Sequence, residues 1–465
     1  MIGTRFLPTI GLLVQMLFFA TQGVPQHQRS ETVSIEPNST TRSMVYQLQA
    51  GDTLGVTVES NDDRFGVDLY IYNSAKELVG KDDEDSTSTS FNWIAPHAGS
   101  YYLLADNFSD ASGSLTVIVA AGKGQGPSEA PTYAKVKIFF ATDRNLTGKG
   151  ANEKFGAQPD SAGALHLGEC TVSIPRDHRM GELEGPSIWR LEVRSDPENH
   201  ITLMAVDDEE RSVFFRNVAF HTRRSRRKEL FVFVHGFNTT FEDATRRTAQ
   251  IAYDLGFDGP AILYSWPSQG SKSPIAYNMD GTNADLTVDH LQKFLQDLVD
   301  QSGAMTIHLI AHSMGNRPLT NALRQMATAG SIKKHPSFDQ VVLMAPDIDA
   351  SIFRQLAPKI YPSAKRITMY ASSRDEALKL SNEFAGYPRA GQGGNQIVIV
   401  RGVDSIDASS VDTSLIGLYH QYYADNSSVL SDLFYLLKDQ PPDKRFGLRR
   451  ETAPDGDYWE FRAGR

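Results

Sequence analysis

The feature that most constrains the fold is a succession of short apolar runs that alternate with helical segments between residues 229 and 400. The run at 229–234 is apolar at every position but the first, which is typical of a strand buried on both faces of a parallel sheet. The segment after it places Phe241, Ala244, Thr248, Ile251 and Leu255 on one helical face, and Gly256 ends it. The same strand–helix alternation predicts further strands at 261–264, 306–310, 340–344, 366–370 and 396–400. Such units in series predict a doubly wound, mostly parallel α/β sheet, with strands at 135–140 and 201–206 as its antiparallel start.

The region before this series has a different pattern. Residues 31–125 hold 14 acidic and 5 basic residues, and so account for nearly all of the net charge of −10. Short alternating runs, separated by turn residues, lie at 56–58, 67–72, 101–104 and 115–119. This pattern predicts an all-β sandwich of the jelly-roll kind. A glycine-rich linker then follows.

These patterns predict the domain organisation. We expect a sandwich over residues 30–122, a linker over 123–131, an α/β domain over 132–440 and a C-terminal tail over 441–465.

The first domain resembles the bacterial pre-peptidase C-terminal domain. The resemblance rests on Ala50-Gly51-Asp52-Thr53, Asp68-Leu69-Tyr70-Ile71-Tyr72 and Ala98-Gly99-Ser100-Tyr101-Tyr102. It implies a non-catalytic accessory domain of a secreted enzyme.

Composition and the N-terminus exclude several classes of protein. The acidic net charge is unfavourable for a general binder of nucleic acid. A single cysteine, Cys170, excludes an intrachain disulfide and a cysteine-rich metal site. Arg5, an apolar run over 6–20 and small residues up to Gly23 predict a signal peptide over 1–23. The alternative is a short membrane anchor, but the run is shorter than the roughly 20 residues that span a bilayer. We therefore expect a secreted or periplasmic protein with no stable membrane insertion after cleavage.

The stretch 306–316 is the most informative for chemistry. A predicted strand leads directly into Ala311-His312-Ser313-Met314-Gly315 and then into a helix. This is the context of a nucleophile elbow, in which a serine sits on a sharp turn between strand and helix. Small residues are needed two positions before and after the serine, because larger side chains would collide with neighbouring segments. The alternative is a serine in an ordinary turn.

A second loop, Val234-His235-Gly236-Phe237-Asn238, follows the strand at 229–234. In an elbow-type site, this loop and the residue after the nucleophile supply the oxyanion donors. The predicted donors are the backbone N–H groups of Phe237 and Met314. Gly236 allows a close backbone approach. We expect His235, Gly236 and Asn238 to line the substrate site.

The general base and its acid must follow Ser313 if the order of triad residues is serine, acid, histidine. The acid candidates are Asp347, Asp349 and Asp375, each of which could instead cap a helix. We favour Asp375, because it follows the later strand. Of the two histidines after Ser313, His335 precedes a strand, so His420 is the predicted base.

Residues 132–440 resemble a mostly bacterial family of α/β-hydrolases of unknown function. The matching blocks are Phe233-Val234-His235-Gly236-Phe237-Asn238, Ser265-Trp266-Pro267-Ser268, Ala311-His312-Ser313-Met314-Gly315, Ala345-Pro346-Asp347 and Ser373-Arg374-Asp375. The resemblance implies a serine-hydrolase site at Ser313, Asp375 and His420.

The predicted function is that of an esterase-like hydrolase that works through an acyl-enzyme. No metal or other cofactor is expected, since no cluster of His, Asp or Glu has metal-ligand spacing. The loop over 266–285 is predicted to form the wall of an open site, with Trp266, Tyr277 and Asp280 as candidate wall residues. For Trp266, structural packing is an equally good interpretation. An open site favours small or surface-presented esters. An acyltransferase and a catalytically silent secreted binding protein are the alternatives, and the sequence predicts no oligomeric state.

Overall fold

The structure is a computed structural model that describes residues 29–37, 39–40, 44–59, 67–75, 78–82, 90–107, 112–120, 133–184, 196–271, 273–328, 338–374, 386–411 and 427–462. The chain divides into two compact units, Met1–Ala130 and Pro131–Arg465. The division falls within the segment that the sequence predicts to be a linker. The predicted signal peptide over 1–23 lies outside the described residues.

The first unit is built of antiparallel strands. They are β1 (Arg29–Ile35), β2 (Ser39–Thr40), β3 (Met44–Leu48), β4 (Thr53–Glu59), β5 (Val67–Tyr72), β6 (Leu78–Asp82), β7 (Ser90–Ile94), β8 (Gly99–Asn107) and β9 (Gly113–Ala120). One sheet has the order β1-β9-β4-β7, and the other has the order β2-β8-β5-β6, with β3 also paired to β8. Val56 and Leu115 from one sheet share a buried core with Leu69 and Leu103 from the other. The predicted β-sandwich is therefore confirmed.

The second unit contains the remaining strands. They are β10 (Tyr133–Thr142), β11 (Arg144–Leu146), β12 (Phe155–Pro159), β13 (His166–Pro175), β14 (Thr202–Asp208), β15 (Glu229–Val234), β16 (Ala261–Ser265), β17 (Thr306–His312), β18 (Phe338–Met344), β19 (Ala364–Ala371), β20 (Val403–Asp407), β21 (Leu448–Ala453) and β22 (Gly456–Phe461).

The helices of this unit connect those strands. They are α1 (Arg211–Arg224), α2 (Phe241–Asp254), α3 (Pro274–Leu286), α4 (Val288–Gln301), α5 (Asn316–Thr328), α6 (Ala350–Ile360) and α7 (Ser427–Leu437). The apolar face predicted for α2 is buried as expected, and its first residue follows Thr240, whose hydroxyl accepts the Asp243 N–H as an N-cap.

Eleven strands form one sheet in the order β14-β13-β10-β16-β15-β17-β18-β19-β20-β22-β21. The strands from β10 to β20 pair in parallel along this order, whereas β13, β14 and β21 pair antiparallel to their neighbours. The doubly wound α/β sheet predicted from the sequence is thus confirmed. The run at 135–140 belongs to the parallel part through β10, and the antiparallel start consists of β13 and β14.

Strand β15 explains why the central sheet is stable. All six of its residues are buried. Val232 packs into the core on one face of the sheet, whereas Phe231 and Phe233 pack into the core on the other. A strand buried on both faces requires a continuous apolar sequence, and this strand has one.

Two predictions about the end of the chain are wrong. The strand predicted at 396–400 lies instead at β20, and residues 394–396 form a short 3-10 turn. The tail predicted over 441–465 contributes the β21–β22 hairpin, which joins the sheet because β22 pairs with β20. No helix in the described part of the chain has both the length and the apolar character that crossing a bilayer requires.

Candidate active site

Ser313 lies at the point where β17 ends and the chain turns into α5. It begins a one-turn 3-10 helix, Ser313–Gly315, and its φ is +49°. That left-handed conformation is uncommon for a residue with a side chain, and such strain is concentrated at functional sites. The backbone therefore has the sharp strand-to-helix reversal that the sequence predicts for a nucleophile elbow.

Small residues around Ser313 are required by the neighbouring backbone. A Cβ on Gly315 would lie 2.7 Å from the carbonyl oxygen of Val234 and closer still to that of His235. A Cβ on Gly236 would lie 3.0 Å from the Ser313 Cβ. The end of β15 and the elbow thus touch directly, and only glycine fits at either contact.

The carbonyl of Ser313 accepts hydrogen bonds from Asn316, through both its backbone N–H and its side chain, and from Asp347. The Asn316 amide donates to it over 2.9 Å, and the Asp347 backbone N–H donates over 3.1 Å. The same Asn316 amide lies 3.2 Å from the Met344 carbonyl oxygen, so it links the elbow to the end of β18. These bonds offset part of the cost of the strained backbone at Ser313.

The two predicted oxyanion donors lie on either side of this contact. Met314 directly follows Ser313, and Phe237 directly follows Gly236. Neither backbone N–H donates to an acceptor among the residues described. Phe237 is partly buried, and its ring meets the Tyr277 ring edge-on at 5.3 Å. The assignment of these N–H groups to an oxyanion hole stays a prediction.

His235 directly follows β15, and its surroundings are well defined. Its side chain is buried, and its ring stacks on Trp266 with centroids 5.1 Å apart. Its Nε2 lies 3.3 Å from an Arg144 nitrogen and 3.2 Å from the Ser265 hydroxyl. Burial lowers the pKa of His235 well below its ordinary value, and the charge of Arg144 lowers it further. The predicted contact of His235 with substrate stays a prediction.

The predicted wall loop over 266–285 is largely helical, because α3 occupies 274–286. Trp266 is fully buried and donates its indole N–H to the His235 carbonyl over 2.7 Å, so its role is packing. Asp280 is also fully buried, and accepts from the Ser268 hydroxyl at 2.6 Å and from the Gln269 N–H at 2.8 Å. These two residues support the loops from within, and their assignment to the wall of the substrate site stays a prediction.

Asn238 and Tyr277 lie nearer the surface than Trp266 and Asp280, and both are partly buried. Asn238 has a φ of +56°, a conformation that asparagine tolerates better than most residues. Its N–H points to Asp280 at 3.4 Å. The Tyr277 hydroxyl donates to Asp347 at 2.7 Å and accepts from Arg317 at 2.7 Å.

The acid candidates fall into two groups. Asp349 caps α6, since its carboxylate accepts the N–H groups of Ser351 and Ile352 at 2.8 and 2.9 Å. The Asp347 carboxylate is buried and lies 3.0 Å from Arg317 and 3.2 Å from Arg389. Both carboxylates are therefore engaged in structural contacts. The favoured acid and base, Asp375 and His420, lie outside the described residues, as does His335.

Sequence reasoning missed two arginines that organise this edge of the sheet. Arg317 follows Ser313 by one helical turn and joins α5 to α3 and Asp347. Arg144 follows β10 and is 1% exposed. A charged residue after a strand usually indicates a solvated loop. The only local feature that could have indicated a buried role for Arg144 is its position at the carboxyl end of a buried strand.

Comparison with known proteins finds one family whose model matches part of the chain. Residues 210–437 match the model of the family described as alpha/beta hydrolase of unknown function (DUF900). No curated protein matches the chain.

Solved structures give distant similarities. The PEG-bound complex of a novel cold-adapted esterase from an Arctic intertidal metagenomic library is 12% identical, with 62% of this chain and 93% of that chain covered and a TM-score of 0.27. The zinc-bound structure of a novel cold-adapted esterase from an Arctic intertidal metagenomic library is 13% identical, with 63% and 92% covered and a TM-score of 0.27. The Aeromonas hydrophila periplasmic inhibitor of g-type lysozyme is 16% identical, with 20% and 87% covered and a TM-score of 0.17. At these TM-scores none of the three supports an argument about this chain.

Proposed function

We propose that the protein is a serine hydrolase that cleaves carboxylic esters, in line with the match of residues 210–437 to the alpha/beta hydrolases of unknown function. Ser313 is the proposed nucleophile, His420 the general base and Asp375 the residue that orients the imidazole. The proposed site needs no metal or other cofactor.

The strained backbone of Ser313 is the observation that carries the proposal. A φ of +49° at a serine between a buried strand and a helix costs free energy that ordinary packing does not require. The loop that follows β15 packs directly against the turn at Ser313. Gly236 and Gly315 allow this contact, because a Cβ at either position would collide with the other segment. Strain and close approach at the same serine favour a catalytic role over an ordinary turn.

Topology supports the placement of the other two residues. Strands β17, β19 and β20 are parallel members of one sheet, so the chain leaves all three at the same edge. In the sequence, Asp375 comes four residues after the end of β19, and His420 comes between β20 and α7. Ser313 directly follows the last residue of β17. The order serine, acid, histidine along the chain is that of an α/β-hydrolase triad.

In the proposed reaction, the Ser313 oxygen attacks the ester carbonyl carbon as its proton passes to His420. The carbonyl electron pair moves onto oxygen, and the N–H groups of Phe237 and Met314 stabilise the resulting oxyanion. When the C–O bond breaks, His420 gives the proton to the leaving alcohol and the acyl group stays on Ser313. Water then attacks the acyl-enzyme in the same way, which releases the acid and restores the serine.

A fluorophosphonate probe tests this function. The proposal predicts covalent labelling of the wild-type chain, no labelling of Ser313→Ala and strongly reduced labelling of His420→Ala. Ser212→Ala, which changes an exposed serine at the start of α1, is the matched control and should label like wild type. A folded wild-type chain that does not label, or labelling that persists in Ser313→Ala, would overturn the proposal and favour a silent binding protein.

We propose that the substrates are small or surface-presented esters. The chain from Met344 to Ala364 contains only α6 and a 3-10 turn, so no lid is inserted there. A site without a lid between β18 and β19 has less apolar surface there to bury a long acyl chain. A series of p-nitrophenyl esters should show higher kcat/KM for short chains, and a preference for long chains would contradict this proposal.

The site of action is proposed to be outside the cytoplasm, on the strength of the N-terminal segment described above. Sequencing the N-terminus of the mature protein recovered from the periplasm or medium should find the chain cleaved near Gly23. An uncleaved chain recovered with membranes would favour the anchor instead.

A further inference from the structure

Arg144 is a buried cation whose five N–H donors all meet neutral acceptors. Its Nε donates to the Ser265 hydroxyl at 2.8 Å. One terminal nitrogen donates to the carbonyls of Gly156 and Ser268, both at 3.0 Å. The other donates to the Thr239 carbonyl at 2.8 Å and lies 3.3 Å from the His235 Nε2. Burial lowers the pKa of Arg144 to about 10 against the opposing charges of nearby aspartates, so the side chain stays protonated at neutral pH.

These contacts fix the tautomer of His235. The Arg144 N–H faces the His235 Nε2, and so does the Ser265 hydroxyl, which is 3.2 Å away. Because the Ser265 oxygen accepts from Arg144, its own proton is free to go to Nε2. A ring nitrogen that faces two donors must be the unprotonated one. The proton of the neutral ring is then on Nδ1, which lies 2.8 Å from the Gly236 carbonyl oxygen.

The Gly236 carbonyl belongs to the same peptide unit as the Phe237 N–H. A trans peptide is planar, so its C=O and N–H point in opposite directions. The Nδ1–H bond that holds the Gly236 carbonyl therefore also sets the direction of the Phe237 N–H. Trp266 stacks on the imidazole at an interplanar angle of 11°, which limits rotation of the ring.

The loop is held on both sides of that peptide. His235 precedes it, and the Thr239 carbonyl, two residues after Phe237, is bonded to the same guanidinium. From this geometry we infer that Arg144, acting through His235, is the positioning residue that aims the Phe237 N–H at the developing oxyanion. The inference rests on the proposed function, since the oxyanion belongs to that reaction.

Arg144→Lys tests the inference, because lysine keeps the charge and loses the planar fork that reaches β12, the end of β16 and the loops at 235–239 and 268. Loss of one oxyanion donor lowers kcat by about 10²–10³. Misdirecting the Phe237 N–H without removing it should therefore lower kcat by less, roughly 10- to 100-fold. KM should stay within about twofold, since an oxyanion donor acts chiefly in the transition state.

Arg445→Lys is the matched control. Arg445 is also buried, and pairs with Asp432 at 2.9 Å beside Tyr370, away from the loop at 235–239. It should retain the wild-type kcat. Equal kcat losses in Arg144→Lys and Arg445→Lys would show that Arg144 only stabilises the fold, and would overturn the inference.

Two further measurements apply if Arg144→Lys does not fold. Ser265→Ala removes one of the two donors to Nε2 and should lower kcat by about 3- to 10-fold with KM unchanged. Nitrogen NMR of histidine-labelled protein, with the His235 signals among the twelve histidines identified by comparison with His235→Gln, should show the Nδ1–H tautomer in wild type. An Nε2–H tautomer would contradict the inference whether or not the protein hydrolyses esters. A wild type that hydrolyses no ester but shows the Nδ1–H tautomer would overturn the proposed function, and with it the oxyanion role, while leaving the arrangement of Arg144, His235 and the Gly236 peptide as inferred.

Discussion

Gly315→Ala is the perturbation whose effect follows most directly from the structure. The new methyl group would lie 2.7 Å from the Val234 carbonyl oxygen and would overlap that of His235. Non-bonded heavy atoms are most favourable at about 3.5–4.0 Å, so the backbone must separate by roughly 1 Å. Val234 cannot yield easily, because it is paired with Tyr264 on one side and Ala311 on the other.

The cost can be estimated from these contacts. Overpacking of a core costs about 1–3 kcal/mol, and a collision between backbone segments at a paired strand belongs at the upper end. About 3 kcal/mol corresponds to a loss of roughly 4 °C in the melting temperature of a unit of this size. A displacement of about 1 Å at the nucleophile should also lower kcat by about 10².

Thermal melting monitored by circular dichroism, together with ester hydrolysis, measures both effects. Gly150→Ala is the matched control, because a Cβ at Gly150 meets nothing within 4 Å and the residue has an ordinary φ of −67°. It should melt like wild type. If Gly315→Ala also melted and turned over like wild type, the direct contact between the end of β15 and the elbow would be refuted.

Two other perturbations have definite expected outcomes. Asp347→Asn removes the carboxylate shared by Arg317 and Arg389 and should lower the free energy of unfolding by about 3–5 kcal/mol; an unchanged urea midpoint would contradict the ion pairing. Burial alone would lower the pKa of His178, but hydrogen bonds to Asp254 and Glu184 outweigh it and raise that pKa to about 9. A raised pKa stabilises the folded state at low pH and loses this effect between about pH 6.5 and 9, so the melting temperature of wild type relative to His178→Gln should fall across that interval. A constant difference would contradict the assignment.

The central part of the fold was predictable because its signals are local. The apolar run of β15 and the strand–elbow–helix sequence around Ser313 each follow from the residues of one short segment. Gly315 was predicted to be small for the reason that the structure gives, namely a collision with neighbouring backbone. Periodicity also placed α2 and its buried face correctly.

The parts that were not predicted depend on contacts between distant segments. The loop assigned as a wall contains α3, whose exposed Ile275 and Met279 obscure the usual apolar stripe. Ser273 as N-cap and Pro274 at the first helical position were the available signals. The hairpin β21–β22 joins the sheet through β20, some fifty residues earlier in the chain, a pairing that no local pattern encodes.

The burial of polar and aromatic side chains was also beyond the sequence. Trp266 and Asp280 are fully buried, and their burial depends on which loops cover them. Arg144 carries a charge, and charged residues are seldom fully buried. Its burial is explained only when the acceptors from β12, from β16 and from the loops at 235–239 and 268 are brought together.

Ser313 and His420 are proposed to act as one catalytic unit. Comparing the kcat of the two single variants with that of the combined variant tests this proposal. Removing either member of such a unit disables the whole, so further removals add little. Ester hydrolysis by Ser313→Ala, His420→Ala and the combined variant should therefore give kcat values equal within about threefold, each lower than wild type by about 10³ or more. A His420→Ala variant with nearly wild-type kcat, or a combined loss equal to the product of the two single losses, would contradict the account.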